Sequence, residues 1–166
     1  MTGTEDFVQD HGPSLYRRSL YTFWKRTIAP ATLMNFDAAN REICVVRETR
    51  TNTPLQALNL MNDVTFVEAA RVLAERAMKS ADTPDDRLAL AFRLAAARSP
   101  QPAELKILRS ALVRHQEHYR AEQAAALKLV NTGEAPRDRK LDVTELAAYA
   151  AMCNLILNLD EVITKE

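Results

Sequence analysis

The segment that most constrains the fold begins at Thr53, where the sequence reads TPLQALNLMND. Thr53 is a preferred helix N-cap, and Pro54 suits the first helical position, where its missing N–H costs nothing. Gln56 falls three residues after Thr53, so the two side chains fit a capping box. The apolar residues that follow are spaced for a helix and predict a short, mostly buried one: Leu55, Ala57, Leu58, Leu60 and Met61.

A second, longer helix is predicted after Asn62 and Asp63, either of which can cap it. Its apolar residues recur three and four apart and predict a buried face, widened by Phe66 and Leu73: Val67, Ala70, Ala74, Ala77 and Met78. Its charged residues are expected on the solvent side, in the pairs Glu68–Arg71 and Glu75–Lys79, with Arg76 beside them. A buried Leu, Phe or Val contributes roughly 1.5–3 kcal/mol and a cap about 1 kcal/mol. Burial is therefore expected to hold the two helices, and the caps to set where they begin.

Three further helices follow from similar signals. Thr83 and Pro84 begin one, and a long one is predicted from about Pro102 to Val130. Asp142 as N-cap with Glu145 three residues later begins the last, which is apolar on nearly every face and is expected to be surrounded by other helices. There is no hairpin signal and no alternation of strands with helices. The fold class predicted is all-α, an irregular domain of about five to six helices.

The front of the chain is less regular. Residues 1–13 are predicted to be a mobile lead-in, and residues 14–166 a single helical domain with an irregular N-terminal segment rich in arginine and aromatic residues. In that segment, SLYRRSLYTFWKRTIAP, a helix is favoured, although its aromatic residues also permit a short strand. Residues 28–36 are expected to be irregular, with a single helical turn beginning at Asp37.

Composition restricts the function classes. The formal net charge is zero, which argues against a general nucleic-acid-binding protein. The first residues are polar and show no signal peptide. The apolar run from Leu146 to Leu159 would span only ~20 Å of a ~30 Å hydrocarbon core, so no membrane span is expected. Two cysteines, Cys44 and Cys153, are too few for a disulfide framework or a zinc site, and a bridge between them is not expected.

A cluster of arginines is the main candidate site. Between residues 14 and 53 there are seven basic residues and three acidic ones, an excess inside a neutral protein. The backbone N–H groups and dipole at the Thr53 helix start favour an anion, so an anion-binding pocket is one hypothesis. The alternative is a structural network in which the arginines bind loop carbonyls and carboxylates. The residues of the hypothetical pocket are Arg41, Arg47, Arg50, Thr51, Asn52 and Thr53.

Other chemistry-bearing residues form no complete constellation. His115 and His118 could share a metal with Glu122, but a solvated helix face is expected instead. Asp160 and Glu161 are adjacent and so do not face each other on a helix. They are expected to serve in capping or in a salt bridge to the arginine-rich front. The sequence shows no catalytic triad and no phosphate loop, so no catalytic residue and no metal site is assigned.

Four segments of the sequence carry a resemblance to a known family: RRSLYTFWKRT, FDAANRE, RTNTPLQALNLMND and NLILNLDE. They resemble the C-terminal planctomycete-specific domain, a family of unknown function, and the resemblance runs from about Phe7 to Glu166. The family's module normally extends upstream of Phe7, so this chain looks like its C-terminal portion. The resemblance implies a larger exported or cell-surface protein with a cytochrome-c-like module. Because this chain has no Cys-x-x-Cys-His, any haem is expected in that separate module.

Two functions from different classes follow as expectations. The first is a non-catalytic helical scaffold or interaction module, whose front aromatic residues pack on upstream domains of the parent protein or on a second copy in a homodimer. The alternative is part of a polysaccharide-processing enzyme, with the arginine cluster holding an anionic group. Docking beside the parent's haem for electron transfer is a third reading, with salt-dependent binding.

Overall fold

The computed structural model describes residues 8–24, 29–38 and 53–164 and divides into two units, Met1–Thr49 and Arg50–Glu166. Helices alone make up its regular structure within these ranges, which confirms the all-α prediction. The eight α-helices found there exceed the predicted five to six because two are single turns and one predicted helix is divided. In chain order they are α1 Ala31–Asn35, α2 Pro54–Asn62, α3 Val64–Ser80, α4 Pro84–Ala96, α5 Pro102–Ala121, α6 Gln123–Val130, α7 Val143–Leu157 and α8 Asp160–Ile163.

The first unit differs from the prediction in detail. Where a helix was favoured, there are two short 3₁₀ helices, Gly12–Tyr16 and Ser19–Tyr21, separated by extended backbone at Arg17 and Arg18. Where residues 28–36 were predicted to be irregular, the structure has α1. Asp37 ends α1 with a φ of +56°, and the Ala38 N–H donates to the Leu33 carbonyl oxygen, a left-handed helix end. Asp37 therefore terminates α1, and the residues after Ala38, over which the predicted turn would continue, lie outside the described residues.

The predicted helix starts of the second unit are present. The Gln56 N–H donates to Thr53 Oγ1 at 3.2 Å, and the Thr53 N–H donates to Gln56 Oε1 at 2.9 Å, which makes the capping box that begins α2. Asp63 Oδ1 accepts from the Thr65 N–H to begin α3, and Thr83 Oγ1 accepts from the Asp86 N–H to begin α4. These contacts span two or three residues, so the local sequence determines them.

The predicted helix from Pro102 to Val130 is two helices. The backbone breaks at Glu122, with φ −118° and ψ 68°, between α5 and α6. Both helices contact α7, and Ala126 and Val130 of α6 are buried in the core. The break therefore lets the two parts of one apolar stripe pack against a single helix.

The core of the second unit surrounds α7. This helix contacts α3, α4, α5 and α6, as its apolar composition predicted. Eight of its 15 residues are buried: Leu146, Ala147, Ala148, Tyr149, Ala150, Met152, Cys153 and Ile156. The predicted face of α3 packs with them, including Ala74 and Ala77, and so do Leu88 and Phe92 of α4. Within the described ranges, no helix combines the length and hydrophobicity needed to cross a membrane.

The expectation that α2 is mostly buried is wrong. Its apolar side chains Leu55, Leu58 and Met61 are 49%, 56% and 45% exposed, whereas Gln56 is 2% exposed. The side that carries Gln56 faces inward, and the Gln56 side chain also completes the capping box. The apolar residues three apart consequently lie on the outer side of the helix.

Neighbouring residues of α7 give a test of the core. Ile156 is 1% exposed and Leu155 is 39% exposed. We expect Ile156→Ala to lower the free energy of unfolding by about 2–4 kcal/mol, because it leaves a cavity in a closed core. The matched control, Leu155→Ala, should cost less than about 1 kcal/mol. Urea unfolding monitored by circular dichroism measures both, and equal losses would contradict the packing described for α7.

Candidate functional site

Three charged residues of α3 are buried, which the sequence did not predict. Glu68, Arg71 and Glu75 were expected on the solvent side, yet they are 3%, 1% and 8% exposed. They are spaced three and four residues apart and therefore share one face of the helix. That face is covered by the connection between α6 and α7, residues 131–142, which we call the α6–α7 loop. A buried charge needs partners, so these contacts define the polar site of the second unit.

Arg71 lies at the centre of this site. Its Nη1 donates to Glu75 Oε1 at 2.5 Å, and its Nη2 donates to the carbonyl oxygen of Ala135 at 2.7 Å. Its Nε has no hydrogen-bond acceptor among the described residues. The pair Arg71–Glu75 replaces the predicted pair Glu75–Lys79. A guanidinium removed from water is stabilised only by close, directed acceptors, so Arg71 fixes the position of Ala135 as well as its own helix.

Glu68 holds the same loop two residues earlier. Its Oε2 accepts from the Glu134 N–H at 2.5 Å. Gly133 beside it has a φ of +92°, and a Cβ at this position would overlap the Glu68 carboxylate. Glycine is therefore required there both by the left-handed backbone and by the close approach of the carboxylate.

An ion pair on the surface forms the third contact between α3 and the α6–α7 loop. Lys79 Nζ lies 2.8 Å from Asp138 Oδ2, and the Lys140 N–H donates to Asp138 Oδ1 at 2.9 Å. The hydrogen bond from Lys79 lowers the pKa of the Asp138 carboxyl, and the same contact raises the pKa of Lys79. Because Lys79 is exposed and Asp138 is only partly buried, the pair adds less to stability than the buried contacts.

One feature of the sequence is related to this buried polar site. Glu68, Arg71 and Glu75 alternate in charge at helical spacing, next to the small residues Ala70 and Ala74. Such a face is usually solvated, and nothing local distinguishes it from a surface face. The acceptor and donor that complete it, at Ala135 and Glu134, lie 64 and 66 residues away in the chain.

A second charged cluster joins the ends of three helices. Arg98 follows α4 and donates to both oxygens of Glu104 on α5 and to both oxygens of Glu161 on α8, at 2.7–2.9 Å. Its guanidinium also lies 4.8 Å from the centroid of the Phe92 ring. Glu161 had been expected in capping or in a salt bridge to the arginine-rich front, and its partner is Arg98 instead.

Further ion pairs join α4 to its neighbours. Arg87 Nη1 donates to Glu145 Oε1 at 2.8 Å, and its guanidinium lies 5.6 Å from the centroid of the Tyr149 ring. Arg109 pairs with Asp85. Asp142 caps α7 as predicted, with Oδ1 accepting from the Glu145 N–H at 2.8 Å. The side chain of Glu145, predicted to complete a capping box, accepts from Arg87.

Two surface pockets adjoin these clusters. One, of about 310 Å³, lies beside the start of α7 and is lined by Gln116, Arg120, Asp142, Thr144 and Glu145. The other, of about 550 Å³, lies along the α6–α7 loop and is lined by Val130, Asn131, Gly133, Glu134, Ala135, Pro136, Arg137 and Arg139. Their linings are suited to binding polar groups by hydrogen bonds and charge.

Reactive groups in the described part of the chain are few. Cys153 is a free thiol in the core, and burial raises its pKa to about 12, so it stays protonated and is a poor nucleophile. His115 stacks on Tyr119, and burial lowers the pKa of His115. Among the described residues no three potential ligands lie close enough to hold a metal ion.

Most of the hypothetical anion pocket lies outside the described residues. This holds for Arg41, Arg47, Arg50, Thr51 and Asn52, and also for Cys44. Thr53 is described, and its capping box uses two of the donors at the start of α2, the N–H groups of Thr53 and Gln56. Pro54 has no N–H. Of the first helical turn, the Leu55 N–H is the donor that the capping box leaves for an anion.

Most of the aromatic residues near the start of the chain lie within the described residues. Tyr16, Leu20, Tyr21 and Phe23 are exposed, and Trp24 is half-buried. Exposed large apolar side chains this close together in sequence are typical of a surface that contacts another molecule or domain.

The second unit is all-α, is built around one apolar helix and is stabilised by buried and surface ion pairs. The family model of PSD1, described as proteins of unknown function (DUF1553), matches residues 2–112. The chain belongs to this family. The matched range includes α1 to α4 and the first part of α5, whereas the LNLDE segment at Leu157–Glu161 lies beyond it. No curated protein and no solved structure matches the chain.

The buried charges of α3 give a prediction of stability. We expect Arg71→Met to lower the free energy of unfolding by about 3–5 kcal/mol, because it leaves the Glu75 carboxylate buried without its partner. Arg76→Met, an exposed change on the same helix, should stay within about 0.5 kcal/mol. The double variant Arg71→Met/Glu75→Leu should recover most of the loss, since neither charge is then buried alone. Urea unfolding measures all three, and equal effects of Arg71→Met and Arg76→Met would contradict the burial of this charge.

The Arg98 cluster gives a prediction of pH dependence. The hydrogen bond from Arg98, followed by that from the Gln101 N–H, lowers the pKa of Glu104 from 4.5 to about 2. A carboxylate with a depressed folded pKa stabilises the native state above its unfolded pKa, and this stability is lost as the pH falls through the folded pKa. Glu104→Gln should therefore lower the melting temperature at pH 7, and the difference from the wild type should disappear towards pH 2. Glu117→Gln, an exposed change on α5, is the control, and a deficit of Glu104→Gln that is the same at both pH values would contradict the role of its charge.

Proposed function

We propose that this chain is a helical interaction module without catalysis of its own, within a larger exported protein that also carries a cytochrome-c-like module. The observation that carries the proposal is the outer side of α2, defined by Leu55, Leu58 and Met61 and here called the α2 face. These side chains are about half exposed, and Val64 at the start of α3 is exposed beside them. All nine residues of α2 are uncharged.

Two properties make the α2 face suited to binding another protein surface. Its side chains are large and apolar, so covering them gains roughly 25 cal/mol for each Å² removed from water. It carries no charge, so docking requires no charged group of α2 to lose its hydration. A contiguous exposed apolar patch on a soluble domain commonly marks such a contact.

The charged residues of the second unit support a scaffold role. Arg71, Arg87, Arg98 and Arg109 each bind a carboxylate of a neighbouring turn or element, and so their charge is used within the fold. These contacts hold α3, α4, α5, α7 and α8 in fixed positions. A rigid support of this kind presents the α2 face without an ordering cost when a partner binds.

The partner that we propose is the upstream part of the same parent protein. The resemblance to the planctomycete-specific domain implies a module that extends upstream of Phe7. An intramolecular partner needs only a modest contact area, because the connecting chain supplies a high effective concentration. A second copy of this chain is the other candidate for the same face.

A charge placed on the α2 face tests the proposal. Leu58→Glu should weaken binding to the separately produced upstream part of the parent protein at least tenfold, because a carboxylate would be buried in an apolar contact. Ile107→Glu is the control, since Ile107 is 68% exposed on α5. Isothermal titration calorimetry measures the affinities, and circular dichroism checks that both variants fold. Unchanged binding by Leu58→Glu would contradict the proposal, whereas a dimer in light scattering that Leu58→Glu dissociates would assign the face to a second copy.

The alternative is part of a polysaccharide-processing enzyme in which Arg41, Arg47 and Arg50 hold an anionic group. The excess of basic residues between positions 14 and 53 favours it. The capping box at Thr53 leaves few backbone donors at the start of α2, so the arginine side chains would supply most of the binding. Turnover by the parent protein, with Arg50→Ala compared with Arg93→Ala on α4, separates the two functions. Loss of turnover in the folded Arg50→Ala variant alone would favour the enzyme.

The cellular location of the parent protein and the position of its haem can both be measured directly. We propose that the parent protein is exported and that its haem is attached in the separate cytochrome-c-like module, since this chain has no Cys-x-x-Cys-His. Fractionation of cells should place the parent protein outside the cytoplasm. The purified chain should show no Soret absorbance, and covalently bound haem in it would contradict this division of roles.

A further inference from the structure

We propose that the pocket along the α6–α7 loop binds an oxyanion, either a carboxylate or a sulfate-type group, between Arg137 and Arg139. This inference goes beyond the interaction module proposed above. It involves neither the α2 face nor the arginines near Thr53.

Arg137 and Arg139 belong to the arginines of the second unit that bind no carboxylate among the described residues, and they are the two of these that line this pocket. Arg71, Arg87, Arg98 and Arg109 each bind a carboxylate. Within the described residues, the guanidinium groups of Arg137 and Arg139 have neither a hydrogen bond nor an ion pair. Asp138 lies between them in the sequence, but its carboxylate is taken by Lys79 and by the Lys140 N–H. The loop therefore presents two guanidinium groups to which no carboxylate of the described residues is bound.

The pocket that they line has the size of a small-ligand site. Its volume is about 550 Å³, within the usual range of roughly 300–1,000 Å³ for such sites. Asn131 adds an amide to the lining. A guanidinium offers two parallel N–H donors that match the oxygens of a carboxylate or a sulfate, which is why arginine commonly recognises these groups.

The charges around the pocket set its selectivity. Glu134 lies in the lining and opposes the two arginines, so the lining carries two positive groups and one negative group. Below the loop, the Glu68 carboxylate is bound by the Glu134 N–H, and Arg71 and Glu75 neutralise each other. The excess positive charge is thus small and local, which favours a single oxyanion over a polyanion.

The loop is held in place before any ligand binds. Glu68 fixes Glu134, Arg71 fixes Ala135, and Lys79 fixes Asp138. Two of these contacts precede Arg137 and the third lies between Arg137 and Arg139, so the backbone that carries both arginines is attached to α3. A preformed site loses less conformational entropy on binding than a loop that must order around its ligand.

The test is a titration of the full chain with sodium sulfate and with sodium acetate, monitored by ¹H–¹⁵N NMR at constant ionic strength with chloride. We expect saturable shifts of the amides from Gly133 to Arg139 with at least one of the two anions. The double variant Arg137→Gln/Arg139→Gln should bind at least tenfold more weakly. The control Arg93→Gln/Arg114→Gln removes two exposed arginines of α4 and α5 and should bind within twofold of the wild type.

The outcomes of the titration identify the class of ligand and also show whether the proposal fails. Saturation by sulfate alone, by acetate alone or by both supports the site and states which oxyanion geometry it accepts. Titration with glucose 6-sulfate and with glucuronate then tells a sulfated sugar from an acidic one. Shifts that do not saturate, that arise outside the loop, or that persist at the same affinity in Arg137→Gln/Arg139→Gln overturn the proposal. Unchanged amide shifts of α7 show that the variants remain folded.

Discussion

The structure of the second unit depends on the burial of α7. A helix with apolar side chains on nearly every face cannot lie on a surface, so it must be covered from several directions at once. α3, α4, α5 and α6 supply this cover, and the Glu122 break lets the last two approach the same helix. Four of the buried core residues of α3 and α4 are alanines: Ala70, Ala74, Ala77 and Ala91.

Covering α7 with α3 has a consequence for charge. α3 buries a second face, carrying Glu68, Arg71 and Glu75, beneath the α6–α7 loop. The loop is polar and lacks helical structure, so its backbone groups need partners of their own. The buried side chains meet that need, with the Glu134 N–H and the Ala135 carbonyl oxygen as their partners. Packing of the apolar core and positioning of a polar loop are thus achieved by two faces of the same helix.

The same loop carries the pocket proposed to bind an oxyanion, and α2 carries the face proposed to bind a protein. Both surfaces depend on contacts beneath them. Gly133 permits the close approach of Glu68 that fixes the loop, and Gln56 turns inward so that Leu58 lies on the outer side of α2. The positions of both proposed surfaces therefore depend on how polar groups are satisfied inside the fold.

Particular residues show how far prediction from the sequence reached. The candidate site was sought among arginines near Thr53, most of which lie outside the described residues, and that hypothesis stays a prediction. The buried site around Arg71 was missed because a charged helix face looks the same whether water or a loop covers it. The exposure of Leu58 was also not predicted. Three apolar residues at helical spacing indicate an apolar face, but they do not indicate whether another element covers it.

The sequence by itself determined that the chain is all-α and where α2, α3, α4 and α7 begin. Thr53, Asp63, Thr83 and Asp142 bind backbone N–H groups two or three residues away, and so their effect does not depend on distant parts of the chain. The tertiary structure alone decided that the charged face of α3 is buried, that the apolar side of α2 is exposed and where the long predicted helix breaks. Burial depends on neighbours that are distant in sequence, such as Ala135 for Arg71, and the free energy of covering a face exists only once those neighbours have been brought together.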